Sequence, residues 1–135
     1  MTAPDLTAFV AEHFPQVKDQ FVVEAVAPME ITVRMPVRDG HLRPGGTVSG
    51  PSLFALADVS IYLAILAMIG PVALAVTTNA SIDFMRKPAP GTDLLARCRL
   101  LKLGRVLAVG DCLIYSEGTP DPVARAAMTY SIPPR

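Results

Sequence analysis

The chain has 135 residues, of which 12 are basic and 12 acidic, so its formal net charge at pH 7 is zero. Apolar residues make up 51% and charged residues 18%, which predicts one globular domain over residues 1–135 and excludes an intrinsically disordered chain. The largest basic cluster is the pair Arg86-Lys87, so we expect no nucleic-acid partner.

The first element in chain order is a short helix predicted over residues 2–14, with Thr2 as its N-terminal cap. This segment has neither the basic start nor the apolar stretch of a secretory signal, so we expect a cytoplasmic protein. Two β-rich runs follow, "QFVVEAV" and "MEITVRMPV", around a turn at Ala27-Pro28. The next segment, "RDGHLRPGG", is rich in turn-forming residues and predicts a loop.

Ser49 predicts the cap of a long helix that continues to about Ile69, with Pro51 tolerated in the first turn. The helix is apolar on nearly every side, so other structure must enclose it. The 17 residues from Leu53 to Ile69 are fewer than the roughly 20 that a membrane span needs. An acidic residue, Asp58, would also be costly inside a bilayer. We therefore expect a buried helix and no membrane association.

Gly70-Pro71 ends this helix, and three or four strands follow in "LAVTTNASIDFMR", "DLLARCRLL", "RVLAVGDCLIYSE" and "PVARAAMTYSI". Strands outnumber helices and the connections are short, which predicts an α+β fold with a largely antiparallel sheet. A helix that is apolar all round requires a curved sheet wrapped around it. The number and order of the elements also permit other α+β sandwiches, so this pattern predicts the fold class and not the fold. Cys98 and Cys112 fall in these strands and fit neither a disulfide framework nor a zinc site, so we expect reduced core thiols.

Asp58 is the single formal charge in the 39 residues from Pro44 to Ile82. A carboxylate in an apolar helix is a candidate general base or nucleophile. The alternative is a structural carboxylate that is hydrogen-bonded inside the core. Gly50, at the start of the same helix, offers a free backbone N–H at the positive end of the helix dipole, where a developing oxyanion is favoured.

Three segments carry a resemblance to a known family: "GGTVSGPSLFALAD", "TTNASIDFMRKPAPG" and "KLGRVLAVGDCLIY". Together they are similar to the hotdog-fold acyl-CoA thioesterases of the phenylacetate-degradation (PaaI-like) type, over about residues 20–132. The resemblance implies a hotdog fold, in which a curved antiparallel sheet wraps around one long central helix. It also implies hydrolysis of an acyl-CoA thioester to the free acid and CoA.

The resemblance assigns roles residue by residue. Asp58 falls on the family's acid, Gly50 on the first Gly of its His-Gly-Gly triplet, and Thr77 on its hydroxyl residue, which would orient water or the carboxylate. The triplet's His is replaced by Ser49, its second Gly by Pro51, and the family's Asn by Arg43. Coenzyme A enters as part of the substrate, with no metal or other cofactor. The candidate substrate-binding residues are Arg43, Ser49, Arg86, Lys87 and Arg105.

Helix geometry adds a prediction about assembly. Gly50 and Asp58 are eight residues apart, or about 12 Å along a helix, so one carbonyl cannot touch both in the same chain. If both act on one thioester they come from two chains, which predicts a homodimer or a dimer of dimers. Two alternatives stay open: a non-catalytic acyl-CoA-binding protein that lost the chemistry with the Asn and His, and a hotdog hydratase or dehydratase, which would need a His beside the acid.

Overall fold

A computed structural model describes residues 1–134, and within that range it contains two α-helices and six strands. Every element predicted from the sequence pattern is present, within a few residues of the predicted bounds. The elements are α1 (Ala3–His13), β1 (Val22–Ala27), β2 (Glu30–Met35), α2 (Gly50–Ile69), β3 (Val76–Phe84), β4 (Leu94–Leu103), β5 (Leu107–Ser116) and β6 (Ala124–Ser131).

The six strands form one antiparallel sheet in the order β1-β2-β4-β5-β6-β3. Alternate residues of each central strand point to one face, and on β6 these are Ala124, Ala126, Met128 and Tyr130, all 2% exposed or less. That face packs on α2, which the sheet surrounds as the central helix. The predicted α+β hotdog architecture is therefore confirmed.

Helix α2 begins and ends where local signals place it. Ser49 is the N-cap and accepts a hydrogen bond from the Ser52 N–H, while Gly70 terminates the helix with a φ of 93°. By length and hydropathy α2 would pass as a membrane span, but twelve of its 20 residues are buried inside the fold. It is the core helix around which the sheet is built.

Helix α1 covers part of α2 that the sheet leaves open. Its Leu6 and Phe9 belong to the same core as α2, at 0% and 6% exposure. Phe14, just after α1, packs edge-on against Tyr62 of α2, with ring centroids 6.3 Å apart. The C-terminal end of α1 is thereby held beside the middle of α2.

Strand β3 lies at an edge of the sheet, so one side of its backbone has no neighbouring strand within residues 1–134. Seven of its nine residues are exposed, among them the apolar Val76 and Phe84 at 55% each. A long edge strand with exposed apolar side chains is a template for pairing with another strand. The two cysteines lie elsewhere, buried and free, opposite each other on β4 and β5.

Candidate active site

Asp58 lies half-buried in the middle of α2, and two hydroxyl groups reach its carboxylate. Thr77 on β3 donates a hydrogen bond to Asp58 Oδ1 at 2.6 Å. The Tyr130 hydroxyl on β6 also contacts Oδ1, and it lies 2.6 Å from the main-chain carbonyl oxygen of Asp58. The carboxylate is therefore held from two strands at once.

The pairing of β3 with β6 brings these two donors together. Thr77 and Tyr130 are register partners, and a β-bulge interrupts the pairing just after Thr77, between Thr77 and Asn79. The inward-facing, half-buried residues of β3 are Thr77 and Ile82, five positions apart, which regular alternation would not allow. The bulge resets the alternation and turns the Thr77 hydroxyl toward α2, as bulges beside functional sites often do.

The Tyr130 hydroxyl acts as a hydrogen-bond donor to Asp58 Oδ1. Burial raises the pKa of its phenol far above the ordinary value, and the negative charge of Asp58 and the hydrogen bond to it raise that pKa further. The phenol therefore keeps its proton well above the pH at which a free tyrosine loses it.

Asp58, Thr77 and Tyr130 open into a cleft of about 530 Å³, which we call the acid cleft. Its other walls come from α1, from α2 and from the segment that leads into β3. They include His13, Phe14, Tyr62, Ala73 and Val76. The Tyr62 hydroxyl donates to the Ala73 carbonyl at 3.0 Å, and burial raises the pKa of that phenol. The cleft thus combines aromatic walls with a few polar groups, as ligand pockets usually do.

Sequence reasoning missed three of these residues. Tyr130 shows no motif and reaches Asp58 only through strand pairing, 72 residues away in the chain. Tyr62 follows Asp58 by one helical turn, and that spacing could have placed it on the same side of α2. His13 is an exposed residue with no ligand spacing in the sequence, and it also lines the acid cleft.

A second cleft of about 440 Å³ lies at the opposite end of β3, and we call it the basic cleft. It contains Gly50 at the start of α2 and three of the predicted substrate-binding cations, Arg43, Arg86 and Lys87. Its lining includes no acidic residue among residues 1–134. A Cβ atom on Gly50 would lie 3.2 Å from the Phe84 ring, so a larger residue there would narrow the cleft. Gly50 and Asp58 therefore face separate clefts of one protomer.

Two predicted residues lie outside both clefts. The Ser49 hydroxyl donates to Ser52 Oγ at 3.0 Å and caps α2, so its observed contacts are structural. Arg105 lines a separate depression at the β4–β5 turn, together with Val106 and Ile132. The substrate-binding roles of Ser49 and Arg105 remain predictions. Within residues 1–134 no group of three His, Cys, Asp or Glu side chains is arranged to hold a metal ion.

The family model of the thioesterase superfamily matches residues 45–123, more than half of the chain and a range that includes both Gly50 and Asp58. The chain belongs to the thioesterase superfamily. Members of this superfamily hydrolyse thioesters, so the class of reaction predicted from the resemblance is supported at that level.

Solved structures agree with this assignment. A candidate thioesterase from Silicibacter sp. TM1040 is 62% identical, with a TM-score of 0.93 over 99% of this chain and 93% of that one. A mutant form of the phenylacetic acid degradation protein PaaI from Thermus thermophilus is 30% identical, with a TM-score of 0.75 over 88% and 99% of the two chains. The PaaI-like resemblance of this thioesterase-superfamily chain is therefore confirmed.

A more distant likeness shows the fold alone. A hypothetical thioesterase from Streptococcus pneumoniae, solved with coenzyme A, is 20% identical, with a TM-score of 0.76 over 98% of this chain and 97% of that one. None of the curated proteins compared with the chain matches it significantly.

Proposed function

We propose that this protein hydrolyses acyl-CoA thioesters to the free acid and CoA, with Asp58 as the general base or nucleophile. The observation that carries the proposal is a lone helical carboxylate, open to a cleft and held by the Thr77 and Tyr130 hydroxyls. Membership of the thioesterase superfamily supplies the reaction class. The reaction uses protein groups and water, with no metal or other cofactor, in the cytoplasm.

Each cleft alone lacks half of the necessary chemistry. Thioester hydrolysis requires a base or nucleophile at the carbonyl carbon and a hydrogen-bond donor at the developing oxyanion. The acid cleft supplies the first through Asp58. The basic cleft supplies the second, because helix geometry leaves the Gly50 N–H at the start of α2 without an acceptor inside the helix.

A two-fold dimer formed through β3 unites the two halves. If β3 pairs antiparallel with its copy around the middle residue Ala80, Val76 of one protomer lies opposite the partner's Phe84. The acid cleft of one protomer then adjoins the basic cleft of the other, twice per dimer. The exposed apolar ends of β3 become a cross-strand apolar pair, which stabilises such an edge.

The same pairing brings the predicted phosphate-binding cations to one end of the sheet. Strands β5 and β3 both place a residue opposite Ser131, namely Leu107 and Val76, so the β4–β5 turn with Arg105 lies at the Thr77 end of the sheet. The partner's Arg86 and Lys87 arrive at this same end. Coenzyme A carries phosphates that such cations bind, and the similarly folded S. pneumoniae protein has been solved with coenzyme A.

The proposed chemistry follows from these placements. Asp58 takes a proton from water as the water oxygen attacks the thioester carbon, or attacks that carbon itself. The carbonyl electron pair moves onto oxygen, where the partner's Gly50 N–H stabilises it. The carbonyl then re-forms as the C–S bond breaks, and CoA leaves as a thiolate that takes up a proton. If Asp58 is the nucleophile, the acyl group stays on its carboxylate as an anhydride, and a water molecule then hydrolyses this anhydride to the free acid and restores Asp58.

The experiment that tests this proposal is release of free CoA from a panel of short, long, branched and aryl acyl-CoAs. Replacing Asp58→Asn removes the base without changing the volume, and general-base catalysis is worth about 10²- to 10⁴-fold, so turnover should fall by that factor. The matched control is Asp111→Asn on the outer face of β5, where Asp111 pairs with Arg99 at 3.6 Å. Unchanged turnover in a folded Asp58→Asn protein would refute the assignment.

One observation favours a second candidate function. His13 lines the acid cleft together with Asp58, and a histidine beside an acid is what a hotdog hydratase or dehydratase would use. Hydration of an enoyl-CoA by the wild-type protein, lost in His13→Gln, would select this alternative. Stabilisation by acyl-CoAs without any turnover would instead indicate the non-catalytic binding protein.

A further inference from the structure

The hydrogen bonds around Asp58 distinguish its two carboxylate oxygens. Within residues 1–134, both donors that reach the carboxylate, from Thr77 and Tyr130, do so at Oδ1. No buried side-chain oxygen or nitrogen in this part of the chain lacks a partner. Oδ2, which neither hydroxyl reaches, is therefore open to the acid cleft rather than enclosed.

We propose that Tyr130 is a positioning residue that, with Thr77, fixes Oδ1 and leaves Oδ2 as the oxygen that acts on the substrate. This rests on the proposed function. Both hydroxyls stand on paired strands, so the carboxylate plane is fixed by the sheet and not by α2 alone. A fixed carboxylate presents one oxygen in one direction, and such orientation contributes to the rate without contributing to binding.

Removing the Tyr130 hydroxyl should lower the rate and leave substrate binding nearly unchanged. In Tyr130→Phe we expect kcat to fall about 10- to 100-fold with KM nearly unchanged, the effect of one hydrogen bond to a charged group. General damage to the cleft would raise KM as well, so the split between kcat and KM identifies a positioning role.

The control is Tyr115→Phe on the outer sheet face, where the ring lies 5.1 Å from the Arg97 guanidinium. This variant should match wild type in kcat and in KM. A Tyr130→Phe enzyme with wild-type kcat, or with a lower kcat and a KM raised by a similar factor, would overturn the positioning role. A wild-type protein without any turnover would refute the proposed function instead.

A second measurement does not depend on activity or on the folding of Tyr130→Phe. In protein labelled with 3-fluorotyrosine, Asp58→Asn should shift the ¹⁹F resonance of Tyr130 and leave that of Tyr115 in place. An unshifted Tyr130 resonance would mean that the phenol makes no hydrogen bond to the carboxylate, and the proposal would fail.

A different observation, a cavity of about 190 Å³ between α1, α2 and β1, carries a second proposal. Seven of its ten wall residues are apolar, and the other three are Thr7, Lys18 and Asp19. The apolar wall residues include Leu6, Val10, Phe21, Val23, Val59 and Leu63. A dry cavity of about 150 Å³ with such walls can hold a benzene molecule, so this one has room for roughly six carbons.

Val59 lies between this cavity and the acid cleft. It follows Asp58 on α2, is 8% exposed, and lines both the acid cleft and the apolar cavity. We propose that the distal part of an unbranched, medium-length acyl chain enters this cavity past Val59, which sets the chain-length preference. This too rests on the proposed function, since the chain is the one whose carbonyl lies at Asp58.

The test is kcat/KM for acetyl-, hexanoyl-, octanoyl- and phenylacetyl-CoA. Val59→Phe should lower the octanoyl value about 10- to 200-fold relative to the acetyl value, the discrimination that apolar pockets achieve. Val59→Ala, which cannot overpack the core, should raise the octanoyl-to-acetyl ratio. The control is Val22→Phe, an outward position of β1 that is 45% exposed.

Equal losses on all four substrates in Val59→Phe, or a wild-type preference for phenylacetyl-CoA that both Val59 variants leave intact, would overturn the chain site. If the wild type hydrolyses none of them, the proposed function fails, and the site is then tested by thermal stabilisation. Octanoyl-CoA should stabilise the wild type more than acetyl-CoA does, and Val59→Phe should abolish the difference; equal stabilisation would overturn it.

Discussion

The acid cleft and the basic cleft stand at opposite ends of the same edge strand, and they differ in chemistry. The first holds the carboxylate of Asp58 between two hydroxyls, and the second holds a helix N-terminus with three cations and, among residues 1–134, no acid in its lining. Either cleft alone supplies only one of the two groups that the proposed thioester hydrolysis requires. This difference supports the proposal that the functional unit is a dimer, joined through the exposed edge of β3.

The largest effect should come from blocking the β3 edge. Val76→Glu combined with Phe84→Glu places like charges on both ends of the proposed pairing, where charges prevent edge-to-edge association. We expect a monomer by sedimentation and a loss of turnover of about 10³-fold or more. The two clefts of one protomer belong to different sites, so each site of a monomer lacks half of its groups. Leu101→Glu, at a position 56% exposed on β4, should stay dimeric and active. A fully active monomer would show that one chain contains the whole site.

Mixed dimers test whether Asp58 and Gly50 of one site come from two different chains. Gly50→Val should lower turnover about 100-fold by displacing the carbonyl from its donor, since its side chain meets the Phe84 ring. Unfolding and refolding this variant together with Asp58→Asn gives mixed dimers in which one site carries both changes and the other neither. With random pairing about half of the dimers are mixed, and one of the two sites in each mixed dimer is intact. The mixture should therefore recover about a quarter of wild-type turnover.

The activity of the mixture shows whether one chain or two supply the groups of a site. Recovery of activity requires that Asp58 and Gly50 of one site belong to different chains. No recovery from a mixture that contains mixed dimers, verified by a size tag on one variant, would place both groups of a site in the same chain.

A smaller effect, on binding, should follow changes in the basic cleft. Arg86→Gln with Lys87→Gln should raise KM for acyl-CoA about tenfold and leave kcat nearly unchanged, because the phosphates lie far from the reacting carbon. The matched control is an acyl-pantetheine without the nucleotide phosphates, on which this variant should equal wild type. An equal loss on both substrates would indicate a structural role, since Arg86 also donates to the Pro122 carbonyl at 2.8 Å.

The smallest effect concerns the loop that carries Arg43. Burial and the nearby charge of Arg38 lower the pKa of His41, whose Nδ1 accepts a hydrogen bond from the Arg38 N–H at 2.9 Å. The unfolded chain therefore binds more protons below about pH 6.5, so stability should fall as the pH is lowered through that value. We expect a decrease in Tm of about 2 °C or less, since His41 is partly exposed.

Calorimetry of variants checks this assignment. His41→Asn keeps an acceptor for Arg38 and should remove this part of the pH dependence, whereas His13→Gln, at the acid cleft, should retain it. A pH dependence of Tm that persists in full in His41→Asn would refute this assignment.

The sequence alone determined the elements, the bounds of α2 and the single acid, because these depend on neighbours a few residues apart. Ser49 caps and Gly70 stops the helix through local backbone geometry, and alternation marks the strands. The position of Gly50 at the start of the helix made it a candidate, and the resemblance added Thr77 to the site.

The fold determined which groups contact Asp58, because a bulge in β3 turns Thr77 toward it and the register of β6 places Tyr130 beside it from 72 residues away. Helix geometry had already separated Gly50 from Asp58, and the fold placed each of them in a cleft of its own and brought His13 into one of these clefts. Strand register and helix docking depend on contacts between distant segments, and no local pattern encodes them.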